Sequence, residues 1–228
     1  MNNLYLLLNI SSVIVPFIAS FHPRLKFYKK WKSLFISMII VNIIFILWDI
    51  WFTKIGVWGF NPDYLIGINL LNLPIEEWMF FITIPYACVF MHYSLEAIYP
   101  KMAINKKVST RITYVLLVLF TLLVIFNYDK WYTLINYTLG TIILLLVHKK
   151  QPELLSKFYI SFLLMLIPFF IINGILTGSG IQDQVVWYNN KENLGVRMFT
   201  IPFEDATYAL TLILSNIFII ERLRFFKK

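Results

Sequence analysis

The chain has a single cysteine, Cys88, set inside an apolar run. That excludes an intrachain disulfide and a cysteine-built metal site. Its three histidines, His22, His92 and His148, stand apart near the ends of apolar runs, with no HxxxH or HxxE spacing, which argues against a histidine metal centre. Charge is scarce as well: 14% of the 228 residues are charged, against roughly 25% in a soluble domain. The deficit falls in long apolar blocks, so the chain reads as a polytopic membrane protein. The first apolar run is preceded by no Lys or Arg, so it lacks the basic segment of a cleaved signal peptide and reads as a retained helix. The last apolar run holds no lysine, which removes a retinal pigment, and no aspartate-rich motif for a metal-bound diphosphate is present, which removes a prenyltransferase.

What the chain does have is hydrophobic residues, at 59%, and a net charge of +8. The basic residues sit in short loops between apolar runs, so the charge points to membrane topology rather than to nucleic acid. Seven spans are expected, at about Leu4–Ser20, Leu34–Phe52, Pro74–Ile98, Ile112–Asn127, Trp131–Val147, Phe158–Asn173 and Pro202–Ile220. Several are near the short limit of the ~17–25 residues that cross the hydrocarbon. Sixteen of the twenty basic residues fall on one side of this topology, including Arg24, Lys26, Lys101, Lys149 and the tail residues Arg222, Arg224, Lys227 and Lys228; only Lys54, Lys130, Lys191 and Arg197 fall on the other. Basic loops stay in the cytoplasm, which places the N-terminus outside and the C-terminus inside. The expected location is the plasma membrane, with the bilayer as partner and room for a homo-oligomer.

A short pattern occurs twice, 128 residues apart. The first copy runs from Ile66-Gly67 to Pro74-Ile75-Glu76-Glu77, the second from Leu194-Gly195 to Pro202-Phe203-Glu204-Asp205, and the frame holds back to Phe60-Asn61 and Tyr188-Asn189. With a four-residue shift it extends further, matching Asp49, Thr53 and Gly56 to Asn173, Thr177 and Gly180. The chain therefore reads as an all-α membrane protein of seven transmembrane helices: two parallel three-helix repeats, residues 1–110 and 131–228, joined by a connector span over residues 111–130. Parallel repeats are related by an axis along the membrane normal, so equivalent residues share a depth. The long loops before the repeated motifs, Thr53–Leu73 and Gly174–Ile201, carry Trp58, Phe60, Tyr64, Trp187 and Tyr188 and are expected to cap the helix mouths at the outer interface.

Each motif sets two adjacent carboxylates at the mouth of a membrane-length helix. Helix chemistry explains part of this: proline suits the first helical position, acids in the first turn complement the dipole, and a glutamate there can cap a free amide. It does not explain the duplication, and acids bordering hydrocarbon are costly unless they function. Burial and a second nearby carboxylate both favour the uncharged acid, and such a group can protonate an alkene. Glu76, Glu77, Glu204, Asp205 and Asp49 are the candidate catalytic residues. Neighbours on a helix point ~100° apart, so one residue of each pair faces inward, and the identity of Glu76 and Glu204 favours those two. Asn173, Trp48, Trp78, Pro74 and Pro202 are candidate substrate-binding residues. Trp51, Trp58, Phe80 and Phe81 join Trp48 and Trp78 as aromatics able to steady a carbocation. His92 and Glu96, four apart, read as a hydrogen-bonded surface pair.

These features resemble the membrane-bound lycopene cyclases of the bacterial heterodimeric and fungal fused type, whose units carry about three spans and a Pro-x-Glu-(Glu/Asp/Gln) motif. Here the motif stands at Pro74–Glu77 and Pro202–Asp205, in a chain that holds both units and a connector. The resemblance implies closure of the linear ends of lycopene to β-ionone rings by protonation, carbocation cyclisation and deprotonation. That is carotenoid biosynthesis by a non-redox isomerase, or intramolecular lyase, without a cofactor; no GxGxxG fingerprint is present. A C50 or ε-ring cyclase, and more remotely a proton-coupled transporter, remain as alternatives.

Overall fold

A computed structural model describes residues 3–225. Seven α-helices dominate it: α1 (Leu4–Ala19), α2 (Trp31–Ile55), α3 (Ile75–Ile98), α4 (Lys106–Phe126), α5 (Trp131–Lys150), α6 (Pro152–Leu176) and α7 (Phe203–Phe225). Six are long and apolar enough to cross a membrane; α1 is apolar but shorter, at 16 residues. The protein is an integral membrane protein built of helices. Of the basic tail read from the sequence, Lys227 and Lys228 lie outside the described residues, as does the side chain of Arg224.

All seven apolar runs are helical, but several of the helices outrun them. α2 starts at Trp31 rather than Leu34, α4 at Lys106 rather than Ile112, and α6 at Pro152 rather than Phe158. Lys, Arg and Glu are good helix formers, so hydropathy marks where hydrocarbon stops, not where the helix does. α2 shows how a span divides its faces. Met38, Val41, Phe45, Trp48 and Phe52 are buried against other helices, while Ile39, Ile43 and Leu47 are 58–64% exposed. In a bilayer that exposed stripe meets lipid tails, and burying it would gain little.

α1 lies along α3 and α5 along α7, whereas α2 packs chiefly on α7 and α6 on α3. The second helix of each half thus leans on the third helix of the other. Buried polar side chains tie α2 to both third helices: Ser37 donates to Asn216 of α7 at 3.0 Å, across the halves, and Asn42 to the carbonyl of Phe81 of α3, in its own half, at 2.7 Å. His92 departs from its expected surface pairing with Glu96. It is buried and bonds the Ser161 hydroxyl at 2.7 Å, while Glu96 pairs with Lys157 at 2.6 Å. α6 passes close enough to α3 to take both partners.

The loops over the helix mouths form short strands. β1 (Trp58–Phe60) pairs antiparallel with β4 (Val186–Tyr188), with Gly59 opposite Trp187. Those two residues are 128 apart, so the ribbon is centred on equivalent positions of the two repeats. Its flanking bonds are reciprocal: Asn61 N–H donates to Val185 O and Asn189 N–H to Val57 O, both at 2.8 Å. Each half also carries a tiny hairpin, β2 (Asn69–Leu70) with β3 (Leu73–Pro74) and β5 (Arg197–Met198) with β6 (Ile201–Pro202), in the same register. The first turns through Leu71 and Asn72, both at positive φ (51° and 60°), as a two-residue hairpin of the primed type requires. Pro74 and Pro202 were expected as the first helical residues; instead each ends a hairpin strand, and the helix begins one residue later. Their ladder partners, Asn69 and Arg197, lie on an edge where no N–H is asked of proline.

Candidate active site

The carboxyl-bearing ends of α2, α3 and α7 meet beneath the β1–β4 ribbon. They close one end of a cavity of about 640 Å³ that runs between α1, α3, α6 and α7. Asp49, Glu77 and Asp205 line that end, together with Asn173; the rest of the wall is overwhelmingly apolar. All three acids are at least 92% removed from solvent.

The sequence placed Glu76 and Glu204 inward; the geometry reverses this. The Glu76 carboxylate accepts the backbone N–H of Ile66 at 2.6 Å, and Glu204 accepts that of Leu194 at 2.7 Å, again 128 residues apart. Glu204 also takes the Thr133 hydroxyl at 2.7 Å. These two residues reach ten positions back to fasten the loop over the helix mouth. With ~100° between neighbours, Glu77 and Asp205 then turn to the cavity. Identity between the repeats marked the shared structural clasp, and the position that differs marks the cavity.

The two halves surround their cavity acids differently. Asp205 accepts three hydrogen bonds, from Tyr132 at 2.6 Å, Asn173 at 2.8 Å and Tyr188 at 3.0 Å. Glu77 accepts the Tyr5 hydroxyl and sits with the carboxyl of Asp49 at the same end of the cavity. Asp49 in turn takes the Trp58 indole N–H at 2.6 Å and Thr53 at 3.3 Å through one oxygen; its other oxygen meets no N–H or hydroxyl donor. Asp49 and Asn173 are the positions matched by the four-residue shift. Burial first, and the charge of Asp205 second, push the Tyr188 phenol well above its ordinary range, so it remains a donor.

Aromatic rings close the polar end. Trp58, Tyr132, Tyr188 and Tyr208 all line the cavity. Trp58 sits 5.1 Å from Tyr132, which stacks on Tyr188 at 5.9 Å. Of the other candidates, Phe80 lines the wall, whereas Trp48, Trp78, Pro74 and Pro202 do not. Trp48 lies behind Tyr208 at 5.1 Å, Trp78 donates to the Leu70 carbonyl of its own hairpin at 3.1 Å, and the prolines are taken up by the hairpins. Trp51 and Phe81 are likewise outside the lining.

Tyr5, Tyr132, Tyr188 and Tyr208 were not singled out as site residues from the sequence. A signal for the first two was present: Tyr5-x-x-x-Asn9 and Tyr132-x-x-x-Asn136 recur 127 residues apart. Both asparagines do the same job, donating to the carbonyls of Glu76 at 3.0 Å and Glu204 at 2.7 Å. Spans one and five therefore carry equivalent site chemistry.

No curated protein and no solved structure matches the chain. A family model described as lycopene cyclase matches it twice, over residues 2–95 and 129–223, which together take in most of its length. The chain belongs to the lycopene cyclase family, and it holds two copies of the family's unit fused in one polypeptide.

Proposed function

We propose that this carotenoid cyclase closes the linear ends of lycopene to β-ionone rings. The observation that carries the reading is the convergence of Asp49, Glu77 and Asp205 on one end of an otherwise apolar, membrane-embedded cavity. An apolar polyene needs such a wall, and its terminal alkene needs an acid.

The Asp49–Glu77 pair supplies the proton. Two carboxyl groups in contact repel when both are ionised, so the pair retains one proton between them. That proton passes to the terminal alkene of lycopene. The resulting tertiary carbocation is attacked by the next alkene of the chain, one carbon–carbon bond forms, and the ring cation loses a proton. Asp205, ionised under three donors, steadies the cation and accepts that proton. The rings of Trp58, Tyr132, Tyr188 and Tyr208 add cation–π attraction and keep water from quenching the cation. One proton enters and one leaves, so the product is an isomer: the reaction is an isomerisation, or intramolecular lyase step, and is written without redox change or cofactor. Glu76 and Glu204 act by holding the loops.

The arrangement in the membrane follows from the same reading. Seven spans run with the N-terminus outside and the C-terminus in the cytoplasm. Residues 1–110 and 131–228 form parallel repeats around the connector over residues 111–130, and the acids lie at the outer face. The basic-residue asymmetry supports this, and the plasma membrane is the proposed location. The test is expression in a lycopene-accumulating bacterium, with chromatography of the pigments. Carotenoids bearing β-rings are expected; lycopene persisting while the protein is present in the membrane would refute the proposal.

A further inference from the structure

We infer that the cavity takes its substrate lengthwise, one end at a time, and that its far end decides whether the second end is ever cyclised. This rests on the cyclase reading above and adds the order of events and the residues that control the product.

The repeat would allow two sites, one per half, but among the described residues the acids of both halves, Asp49, Glu77 and Asp205, line the same cavity. The cavity opens between α1 and α6. Its symmetry-related counterpart would open between α5 and α2, and that space is filled. Trp48 of α2 occupies it, 6.3 Å from Tyr132 and 5.1 Å from Tyr208, with Phe45 edge-on to Tyr208 at 5.1 Å. The position matching Trp48 under the four-residue shift is Ile172, which lines the open cavity. A tryptophan plugs one groove where an isoleucine leaves the other free.

This cavity is long and chemically one-ended. Its wall follows α3 from Glu77 to Ile98, roughly 30 Å at ~1.5 Å per residue, which is about the thickness of the hydrocarbon. All of the carboxyl groups that line it are at the Glu77 end; the other end is formed by Phe90, Met91, Ser94, Leu95 and Ile98. Nearby Glu96 is outside the lining and paired with Lys157. The cavity also opens sideways, because lining residues Val15 of α1 and Ile171 of α6 are 67% and 59% exposed on the lipid-facing surface.

A linear polyene with two like ends therefore enters from the bilayer and presents one end to the acids while its tail extends to Ile98. The second end reacts only after the one-ring product slides out and returns reversed. The ring already made must then fit among Met91, Ser94 and Leu95. Each round moves one proton in and one out, so the two rounds are chemically identical and differ only in what the far end holds.

The test uses membranes containing the full protein, supplied with isotopically labelled lycopene and an excess of unlabelled one-ring carotenoid. The unlabelled pool is expected to dilute the label in the two-ring product. Label reaching that product undiluted would mean both ends react in one residence and would overturn the inference. In Ser94→Trp, the ratio of one-ring to two-ring product is expected to rise about tenfold, since a bulky insertion at a packed site excludes a ring before it excludes a thin chain. An unchanged ratio with the variant present in the membrane would overturn the role of the far end. If the wild type stops at one ring, Met91→Ala is expected to bring out the two-ring product, and its failure to do so would overturn the same point. A wild type that converts no lycopene at all would remove the cyclase reading itself, a separate result.

Discussion

The two repeats build the same clasp and different chemistry. In both, a glutamate ends its reach on a loop amide, an asparagine two helices earlier holds the glutamate's carbonyl, and a tyrosine one turn before that asparagine bonds the neighbouring acid. Around that common frame, Asp49 faces Glu77 in the first half, where Asn173 faces Asp205 in the second. A carboxyl beside a carboxyl favours a shared proton, and an amide that donates to a carboxylate favours its charged form, which is why the proposed mechanism gives the two halves different roles. Two differences at matched positions, Asp49 against Asn173 and Glu77 against Asp205, thus make the two sides of a symmetric frame unlike, and in the proposed mechanism one side is the acid and the other the base. Symmetric halves would supply two acids or two bases, and a cyclisation that gains and loses a proton needs one of each.

The sharpest break is at the two cavity acids. Glu77→Gln and Asp205→Asn are each expected to lower lycopene conversion by ~10²–10⁴-fold, the range for losing a general acid or base. Pigment chromatography with a membrane immunoblot checks this, and conversion near wild type in either variant would end the division of roles. Next comes Asp49→Asn, which makes the first half resemble the second. It is expected to cost ~10–100-fold, about 1.4–2.7 kcal/mol of barrier. Adding Asn173→Asp should restore part of that loss by moving the acid pair to the other half; a double variant no better than the single one would show that the sides are not exchangeable.

Glu76 and Glu204 should behave unlike their neighbours. Glu76→Ala strands the Ile66 amide beneath the loop and is expected to cost ~1–3 kcal/mol of stability, read as a lower melting temperature in detergent. Glu76→Gln, which keeps an acceptor, should convert lycopene within about tenfold of wild type. Glu76→Gln as inactive as Glu77→Gln would put the proton on the wrong residue here. The smallest effect is expected from Tyr188→Phe, which removes one of three donors to Asp205 and should slow turnover by roughly three- to tenfold for about 1 kcal/mol. Because the Tyr188 phenol is held well above its ordinary value, its loss should leave the pH profile of turnover unchanged below the usual tyrosine range.

Much of this was legible in the chain. The seven helices stand where apolar runs stood, because each run has to satisfy its own backbone in lipid. The 128-residue frame was visible too, and it reappears residue for residue in the hairpin registers and in the paired Glu–amide bonds. Identity between the repeats points to Glu76 and Glu204 as the inward pair, whereas Glu77 and Asp205 line the cavity. In Glu76 and Glu204 identity reflects a loop that both halves must fasten, and no periodicity in a first turn tells which of two adjacent residues has a loop above it. Trp48 differs for a related reason: next to Asp49 in the chain it reads as a site residue, but its ring packs behind Tyr208.

The sequence by itself determined that the protein lies in the membrane, that its helices fall in two matching sets, and that acids stand at two helix mouths. Those are properties of local composition and spacing, which hydrocarbon and backbone hydrogen bonding read directly. Only the tertiary structure decided that one groove is plugged by Trp48 and the other open at Ile172, and that Glu77 and Asp205 rather than Glu76 and Glu204 meet in it. It also decided that Asp49 joins Glu77 at the same end of the cavity. Those outcomes depend on which side chains from helices far apart in the chain compete for the same space, and packing settles that competition only when the helices are assembled.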